Sequence, residues 1–207
     1  MDPYKTVQRV AMVAPLAVLA STVHAVATSD VTFRILPGEY MHADAASLLQ
    51  SGNDSVSDID GIFGDDPWSL LDKTDESPNE FNGVTFILEA ATGATSGTWD
   101  LSWSQTGSPG LPLNMDFVFV SKASANWAAY LFESVNFTAD PLTGDGTFQI
   151  SWTTGNAPVP PTPGLSHASI YGRTTAIDPD PDPVPAPATI LLMALGLLGL
   201  RISGRVR

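Results

Sequence analysis

The strongest constraint on the fold is a strict period-two alternation of apolar and polar residues. In residues 97–103 the side chains of Trp99, Leu101 and Trp103 fall on one side of an extended chain, and residues 146–152 repeat the pattern. Successive side chains of a β-strand point to opposite faces of the sheet, so each segment predicts a strand with one buried face. Helical periodicity is nearly absent from the middle of the chain.

Six further segments have the composition of short strands, and clusters of Gly, Pro, Asn, Asp and Ser separate them. Residues 115–120 are apolar on both faces beyond Asp116, as expected of a central strand that is covered on both sides. About eight short strands of this kind predict an all-β fold, an antiparallel β-sandwich or jelly roll. The six segments are residues 31–36, 68–73, 84–90, 115–122, 127–133 and 165–171.

The first 25 residues have the order of a secretory signal peptide. Lys5 and Arg9 precede an apolar run at residues 10–20, and Val23 and Ala25 stand where signal peptidase needs small or short side chains. We expect signal peptidase to cleave after Ala25, which places the following domain outside the cytoplasm.

A second apolar segment lies near the C-terminus, where residues 186–200 carry no charge. This stretch is slightly shorter than the roughly 20 residues that a membrane helix prefers, and it predicts a transmembrane helix over about residues 188–200. The residues after it, 201–207, form a basic end that stays on the cytoplasmic side by the positive-inside rule. This basic stop consists of Arg201, Arg205 and Arg207.

The charge of the middle of the chain limits its partners. Residues 26–183 contain 21 acidic and four basic residues, a net charge of −17. Such a surface repels phosphates, so nucleic acid is excluded as a partner, and cations or neutral polymers suit it better. We assign residues 26–176 to the β-sandwich domain and residues 177–183, in which Asp and Pro alternate, to an extended linker.

A proline-containing motif precedes the predicted transmembrane helix. Together with the helix and the basic end, residues 184–207 resemble the PEP-CTERM sorting domain of exosortase substrates, whose usual motif is Val-Pro-Glu-Pro-Ala-Thr. Ala186 stands here where that family usually has the glutamate. The resemblance implies a Gram-negative source, cleavage by an exosortase near Pro187, and transfer of the domain from the inner membrane to the cell surface or extracellular matrix. The predicted sorting motif is Val184, Pro185, Ala186, Pro187, Ala188 and Thr189, and all of these residues except Ala186 match the usual motif.

A permanent membrane anchor with a stiff proline neck is the alternative interpretation of the same tail. In that case the transmembrane helix is not removed, and the domain stays attached to the membrane.

Few residues in the chain suit catalysis. Cysteine is absent, and beyond the signal peptide there are two histidines, His42 and His167, which argues against a cysteine nucleophile or a zinc hydrolase. Ser166 and His167 are adjacent and point to opposite faces of a strand, so the histidine cannot activate that serine. We therefore predict no catalytic residue and no enzyme. A glycosidase needs only two facing carboxylates, so a glycan-active hydrolase remains a third hypothesis.

The densest acidic segment, residues 53–66, resembles part of a calcium loop. Asp54, Asp58 and Asp60 are candidate ligands of a weak site, because alternate residues of a tight turn can converge on one ion. The full twelve-residue loop fails, since Val56 stands at its first position and Pro67 at its last. A solvated acidic loop is the simpler interpretation, and no other cofactor is predicted.

We expect an exported structural or interaction protein of the cell surface or extracellular matrix. A lectin-like module that binds extracellular polysaccharide is the alternative, with Trp68 and Trp127 partly exposed at strand starts and stacked on sugar rings. The remaining large aromatics of the alternating segments are predicted to fill the core: Trp99, Trp103, Phe148 and Trp152.

Overall fold

The computed structural model describes residues 26–153 and 161–174, which form antiparallel strands with almost no helix. The helical part of this range is a 3-10 turn, Thr28–Asp30, and a single α-helical turn, α1, Val56–Ile59. The predicted all-β class is confirmed. The predicted signal peptide, the linker and the C-terminal helix lie outside the described residues.

Eight strands of five to twelve residues correspond to the eight segments predicted from the sequence, and four two-residue strands were not predicted. The eight are β1 (Val31–Ile35), β5 (Ser69–Lys73), β7 (Val84–Ala90), β8 (Ser96–Gln105), β9 (Leu113–Ala123), β10 (Asn126–Phe137), β11 (Thr143–Gln149) and β12 (His167–Thr174). The four short strands are β2 (Met41–His42), β3 (Ala45–Ala46), β4 (Gln50–Ser51) and β6 (Glu80–Phe81).

The strands form two antiparallel sheets. Sheet A has the order β2, β1, β11, β8, β7, β6, and sheet B has the order β3, β10, β9, β12, β5, with β4 also paired to β10. Strands that are adjacent in a sheet are often distant in sequence, as for β1 and β11, where Val31 lies opposite Phe148.

Aromatic rings from both sheets meet in one core. Phe33 of sheet A lies 5.1 Å from Phe117 of sheet B, and Trp99 lies 4.6 Å from Phe119, measured between ring centroids. The two sheets therefore face each other across these rings. Full burial of one large apolar side chain contributes about 1.5–3 kcal/mol to the stability of the folded state. The predicted core residues Trp99, Trp103, Phe148 and Trp152 are all buried, which confirms their assignment.

Two glycines of β11 make room for this core. Gly144 and Gly146 occupy inward positions where the alternation would otherwise place large side chains. A Cβ atom on Gly144 would lie 2.7 Å from the Phe33 ring, and one on Gly146 would collide with the Thr32 carbonyl and the Trp99 indole. The absence of side chains at these positions lets the Phe33 and Trp99 rings lie directly over the strand.

Residues 53–68, here called the cover segment, lie over the outer face of sheet B. Ile59 and Trp68 of this segment pack in a second buried cluster against Val118, Val120 and Trp127 of sheet B. Strand β9 is therefore buried on both faces, as predicted for residues 115–120. The prediction that Trp68 and Trp127 are partly exposed was wrong, because the second cluster encloses both rings and leaves them 3% and 2% exposed.

A buried aspartate joins the two sheets at one side. Asp72 of β5, in sheet B, accepts a hydrogen bond of 2.7 Å from the backbone N–H of Leu88 on β7, in sheet A. Strand β6 pairs with β7 only at Val84 and Thr85, so it provides no acceptor for the backbone N–H of Leu88. The Asp72 carboxylate provides that acceptor instead. Burial raises the pKa of the Asp72 carboxyl, and its other oxygen has no partner among the described residues.

Candidate functional site

The outer face of sheet A is covered by no described segment, in contrast to the outer face of sheet B. Its outward side chains are half-buried or exposed, and most carry hydroxyl or carboxyl groups. They come from the polar positions of the alternating strands, so the pattern that buries Trp99 and Trp103 also exposes their neighbours. The outward residues include Thr32, Arg34, Thr85, Ile87, Glu89, Thr98, Asp100, Ser102, Asp145 and Thr147.

Four charged residues lie in line across this face. The register places Arg34 of β1 opposite Asp145 of β11, Asp145 opposite Asp100 of β8, and Asp100 opposite Glu89 of β7. We call this set the charged row. Adjacent strands are about 4.8 Å apart, so the row extends about 14 Å across the sheet.

One end of the charged row is neutralised. Arg34 donates hydrogen bonds from Nε and Nη2 to the two oxygens of Asp145, at 2.6 and 3.1 Å. The guanidinium lies over the Tyr40 ring, 4.2 Å from its centroid, and the Tyr40 hydroxyl donates to Asp145 at 3.3 Å. The hydrogen bond from Arg34 lowers the pKa of Asp145, and the same contact raises the pKa of Arg34.

The other end of the row is a pair of like charges. Glu89 and Asp100 are direct register partners, and neither makes a hydrogen bond or an ion pair with any residue of the described ranges. Like charges directly opposite each other on a sheet are destabilising. The sheet therefore carries a local electrostatic cost at this position.

A shallow cavity of about 350 Å³ opens beside the pair. Its volume is at the lower end of the range for small-molecule sites, about 300–1,000 Å³. The cavity is lined by Leu36, Ile87, Glu89, Asp100, Leu101, Ser102, Thr143 and Gly144. Sequence reasoning missed Glu89 and Asp100. The available signal was an acidic residue at an outward position of each of two consecutive predicted strands.

A second polar cluster surrounds Asp54 in the cover segment. Its Oδ2 accepts hydrogen bonds from the hydroxyls of Ser169 and Tyr171, at 2.6 and 3.2 Å, and its Oδ1 lies 2.8 Å from Nε2 of His167. Burial alone would raise the pKa of Asp54, but the hydrogen bonds from His167 and Ser169 outweigh it and hold that pKa well below its usual range. The carboxylate is thus ionised and fully engaged.

The three candidate calcium ligands do not converge. Asp54 faces β12, Asp58 accepts a hydrogen bond from Ser55, and Asp60 accepts the backbone N–H of Trp68 at 3.0 Å. Across residues 26–153 and 161–174, no group of three or more His, Cys, Asp or Glu side chains is placed to hold a metal ion. The calcium hypothesis receives no support from this geometry.

All four basic residues of the described ranges are engaged with their own chain. Arg34 binds Asp145, Lys73 binds Glu76 at 3.1 Å, and Lys122 donates to the carbonyl of Gly52. Arg173 donates two hydrogen bonds to Asp116, at 3.0 and 3.1 Å, and one to the carbonyl of Phe63 at 2.8 Å. This part of the chain therefore presents many carboxylates to solvent and few cationic groups.

His167 and its neighbour do not form a nucleophile and base. The Ser166 hydroxyl accepts the backbone N–H of Ser124 at 3.2 Å, while His167 is turned towards Asp54. His167 is thus a strand histidine whose ring nitrogen is hydrogen-bonded to Asp54.

The sequence-predicted targeting residues lie outside the described ranges. These are Val23 and Ala25 of the cleavage site, the motif at residues 184–189, and the arginines of the basic stop. None of the helices in the described part of the chain has the length and apolar character needed to cross a membrane.

Comparison with known proteins identifies the C-terminal segment. Residues 183–207 match the family model of the PEP-CTERM protein-sorting motif, which confirms the resemblance seen in the sequence. The motif implies an exosortase-sorted extracellular protein that is exported and processed at the membrane for the cell surface. Neither the curated proteins nor the solved structures contain a match to the chain.

Proposed function

We propose that this chain is a structural or interaction protein of the cell surface or extracellular matrix, released from the inner membrane by exosortase cleavage near Pro187. The match of residues 183–207 to the sorting motif is the observation that carries the proposal. The acidic, cysteine-free domain fits a role outside the cell, because it needs no disulfide bond and remains strongly hydrated.

The tail presents its cleavage site in a simple way. In this proposal Arg201, Arg205 and Arg207 would retain the end of the predicted helix on the cytoplasmic side, and the Asp-Pro linker would keep the domain away from the membrane surface. The motif at residues 184–189 would then lie at the periplasmic side of the inner membrane, within reach of a membrane-embedded exosortase.

Mass spectrometry of the protein from the native cell tests this proposal. We expect the mature chain to begin at Val26 and to lack the residues that follow the motif. A Pro187→Ala variant should keep its tail, whereas Pro181→Ala in the linker serves as the matched control and should be processed normally. A mature wild-type chain that still ends in Arg207 would show a permanent anchor instead.

Binding of extracellular polysaccharide is the second candidate function. The open, hydroxyl-rich face of sheet A favours it, since such a face offers many hydrogen-bonding groups to a polymer of sugars. Sugar stacking on Trp68 or Trp127 is not part of this candidate, because both rings are buried. Co-sedimentation of the full chain with the organism's own polysaccharide is the direct test.

We propose a non-enzymatic role for the domain. The adjacent carboxylates of Glu89 and Asp100 lie on an open sheet face, where solvent water has free access and charge stabilisation is weak. Incubation with the native polysaccharide should release no reducing ends. Release that depends on either carboxylate would establish the glycan-active hydrolase in its place.

A further inference from the structure

We propose that the outer face of sheet A docks a polysaccharide that carries free amino groups, with the Glu89–Asp100 pair as the cationic subsite. This inference rests on polysaccharide binding, the second candidate above, and names the chemical class of the polymer.

Charge complementarity is the first argument. Arg34 neutralises Asp145, whereas Glu89 and Asp100 have no cation from the described chain. An ammonium group between them removes the repulsion of the like-charged pair and replaces it with two attractive contacts. The engagement of all four described basic residues elsewhere leaves this role to a partner.

The neighbouring groups match a sugar rather than a bare amine. Ser102 and Thr143 supply hydroxyls to the lining of the cavity, and such groups can both donate to and accept from sugar hydroxyls. Leu36 and Ile87 add aliphatic groups to the lining, and Ile87, which is 45% exposed, can contact the C–H face of a sugar ring. The next row of outward residues adds the hydroxyls of Thr32, Thr147 and Thr98.

A basic peptide fits this face less well. Peptides that bind sheets usually add a strand at an edge through backbone hydrogen bonds, or insert side chains into apolar pockets. The charged row lies on the inner strands β1, β11, β8 and β7, away from the sheet edges, and the cavity beside it is shallow. An extended polymer lying across the strands is therefore the better match.

The proposal is tested by calorimetry, which measures oligosaccharide binding to the full chain in a neutral detergent. Because the unprocessed chain is used, the result does not depend on cleavage of the tail. The probe is a tetrasaccharide of β-1,4-linked glucosamine with protonated amines. Its N-acetylated form and tetralysine are the comparison ligands. The test variant is the Glu89→Gln, Asp100→Asn double substitution. The matched control is Asp65→Asn, Asp66→Asn, which changes the net charge equally at two exposed positions of the cover segment.

We expect the glucosamine tetramer to bind the wild type and the control variant alike, and the test variant at least about tenfold more weakly. Removing a like-charge pair should not destabilise the sheet, so equal thermal stability of the test variant will separate lost binding from unfolding. Equal binding of the N-acetylated form or of tetralysine would overturn the proposed ligand class. Absence of binding, or equal loss in both variants, would overturn the site. If the test variant still binds the native polysaccharide as the wild type does, the Glu89–Asp100 subsite is overturned, while polysaccharide binding remains the second candidate function.

Discussion

The Nε2 nitrogen of His167 lies 2.8 Å from Oδ1 of Asp54, although 113 residues separate the two along the chain. An ionised carboxylate can only accept, so Nε2 of His167 donates this hydrogen bond. The contact fixes the start of the cover segment to β12, the strand next to the central strand β9. Asp54 therefore stabilises the fold, and its carboxylate is not available as part of an acidic surface.

Replacement of Asp54 by asparagine should destabilise the protein. Asparagine keeps one acceptor oxygen, but its NH₂ group cannot accept a hydrogen bond, so at least one of the buried donors His167, Ser169 and Tyr171 loses its partner. We expect a loss of about 3 kcal/mol in the free energy of unfolding, measured by urea denaturation. Asp65→Asn, at an exposed position of the same segment, should change it by less than about 0.5 kcal/mol. Equal losses in the two variants would contradict the role assigned to Asp54.

The pH dependence of stability should also report on Asp54. Its folded pKa lies below the ordinary value of about 3.9, so its stabilisation is present above that pH and is lost as the pH falls below it. Asp72 acts in the opposite sense, since burial raises its folded pKa and its contribution is lost as the pH rises. Between about pH 5 and pH 2 we expect the unfolding free energy to fall more steeply in the wild type than in Asp54→Asn. Parallel profiles in a urea series at several pH values would refute this assignment.

A side chain at Gly146 should not be tolerated. Valine there would place its Cβ against the Thr32 carbonyl and the Trp99 indole, which are held by the neighbouring strands. Overpacking of this kind costs about 1–3 kcal/mol and sometimes more, so we expect Gly146→Val to lower the thermal midpoint strongly or to prevent folding. Thr98→Val, on the outward face of β8, is the control and should fold normally. A Gly146→Val protein that is as stable as the wild type would disprove the close packing around Gly146.

Arg173→Lys should loosen the cover segment while the sheets remain intact. Lysine keeps the charge towards Asp116 but loses the forked hydrogen bonds, the contact with the Phe63 carbonyl, and the planar contact over the Trp68 ring at 4.4 Å. We expect a stability loss of about 1–2 kcal/mol. The backbone N–H of Trp68 donates a hydrogen bond to Asp60, and its amide hydrogen exchange should become faster than in the wild type. Glu76→Gln, which breaks the surface pair with Lys73, should leave this exchange rate unchanged.

The sequence was sufficient to predict the long strands, because alternation over five or more residues is a local property. Residues 84–90 were predicted with the observed ends, and the other long strands differed by a few residues. The two-residue strands β2, β3, β4 and β6 were not predictable in this way. Two residues carry no periodicity, and their partners on β1, β10 and β7 determine their conformation.

The candidate site was less accessible from sequence, because it depends on contacts between distant segments. The spacing of Asp54, Asp58 and Asp60 suggested a shared ion, but the role of Asp54 is set by His167, Ser169 and Tyr171 on a strand far along the chain. Trp68 and Trp127 were misplaced for the same reason, since nothing local shows that residues 53–68 fold back over sheet B. The pairing of Glu89 with Asp100 follows from the strand register, which the turn at residues 91–95 sets.

The cover segment also limits how many sheet faces the domain offers to a partner. Within residues 26–153 and 161–174, the chain itself closes the outer face of sheet B, and the outer face of sheet A stays open. If the domain binds a polysaccharide through that open face, as proposed above, these residues would coat a polymer strand and would not by themselves join two strands into a network. Gelation of an extracellular matrix by this protein would therefore require either a second binding region or self-association, whereas coating requires only the domain as it folds.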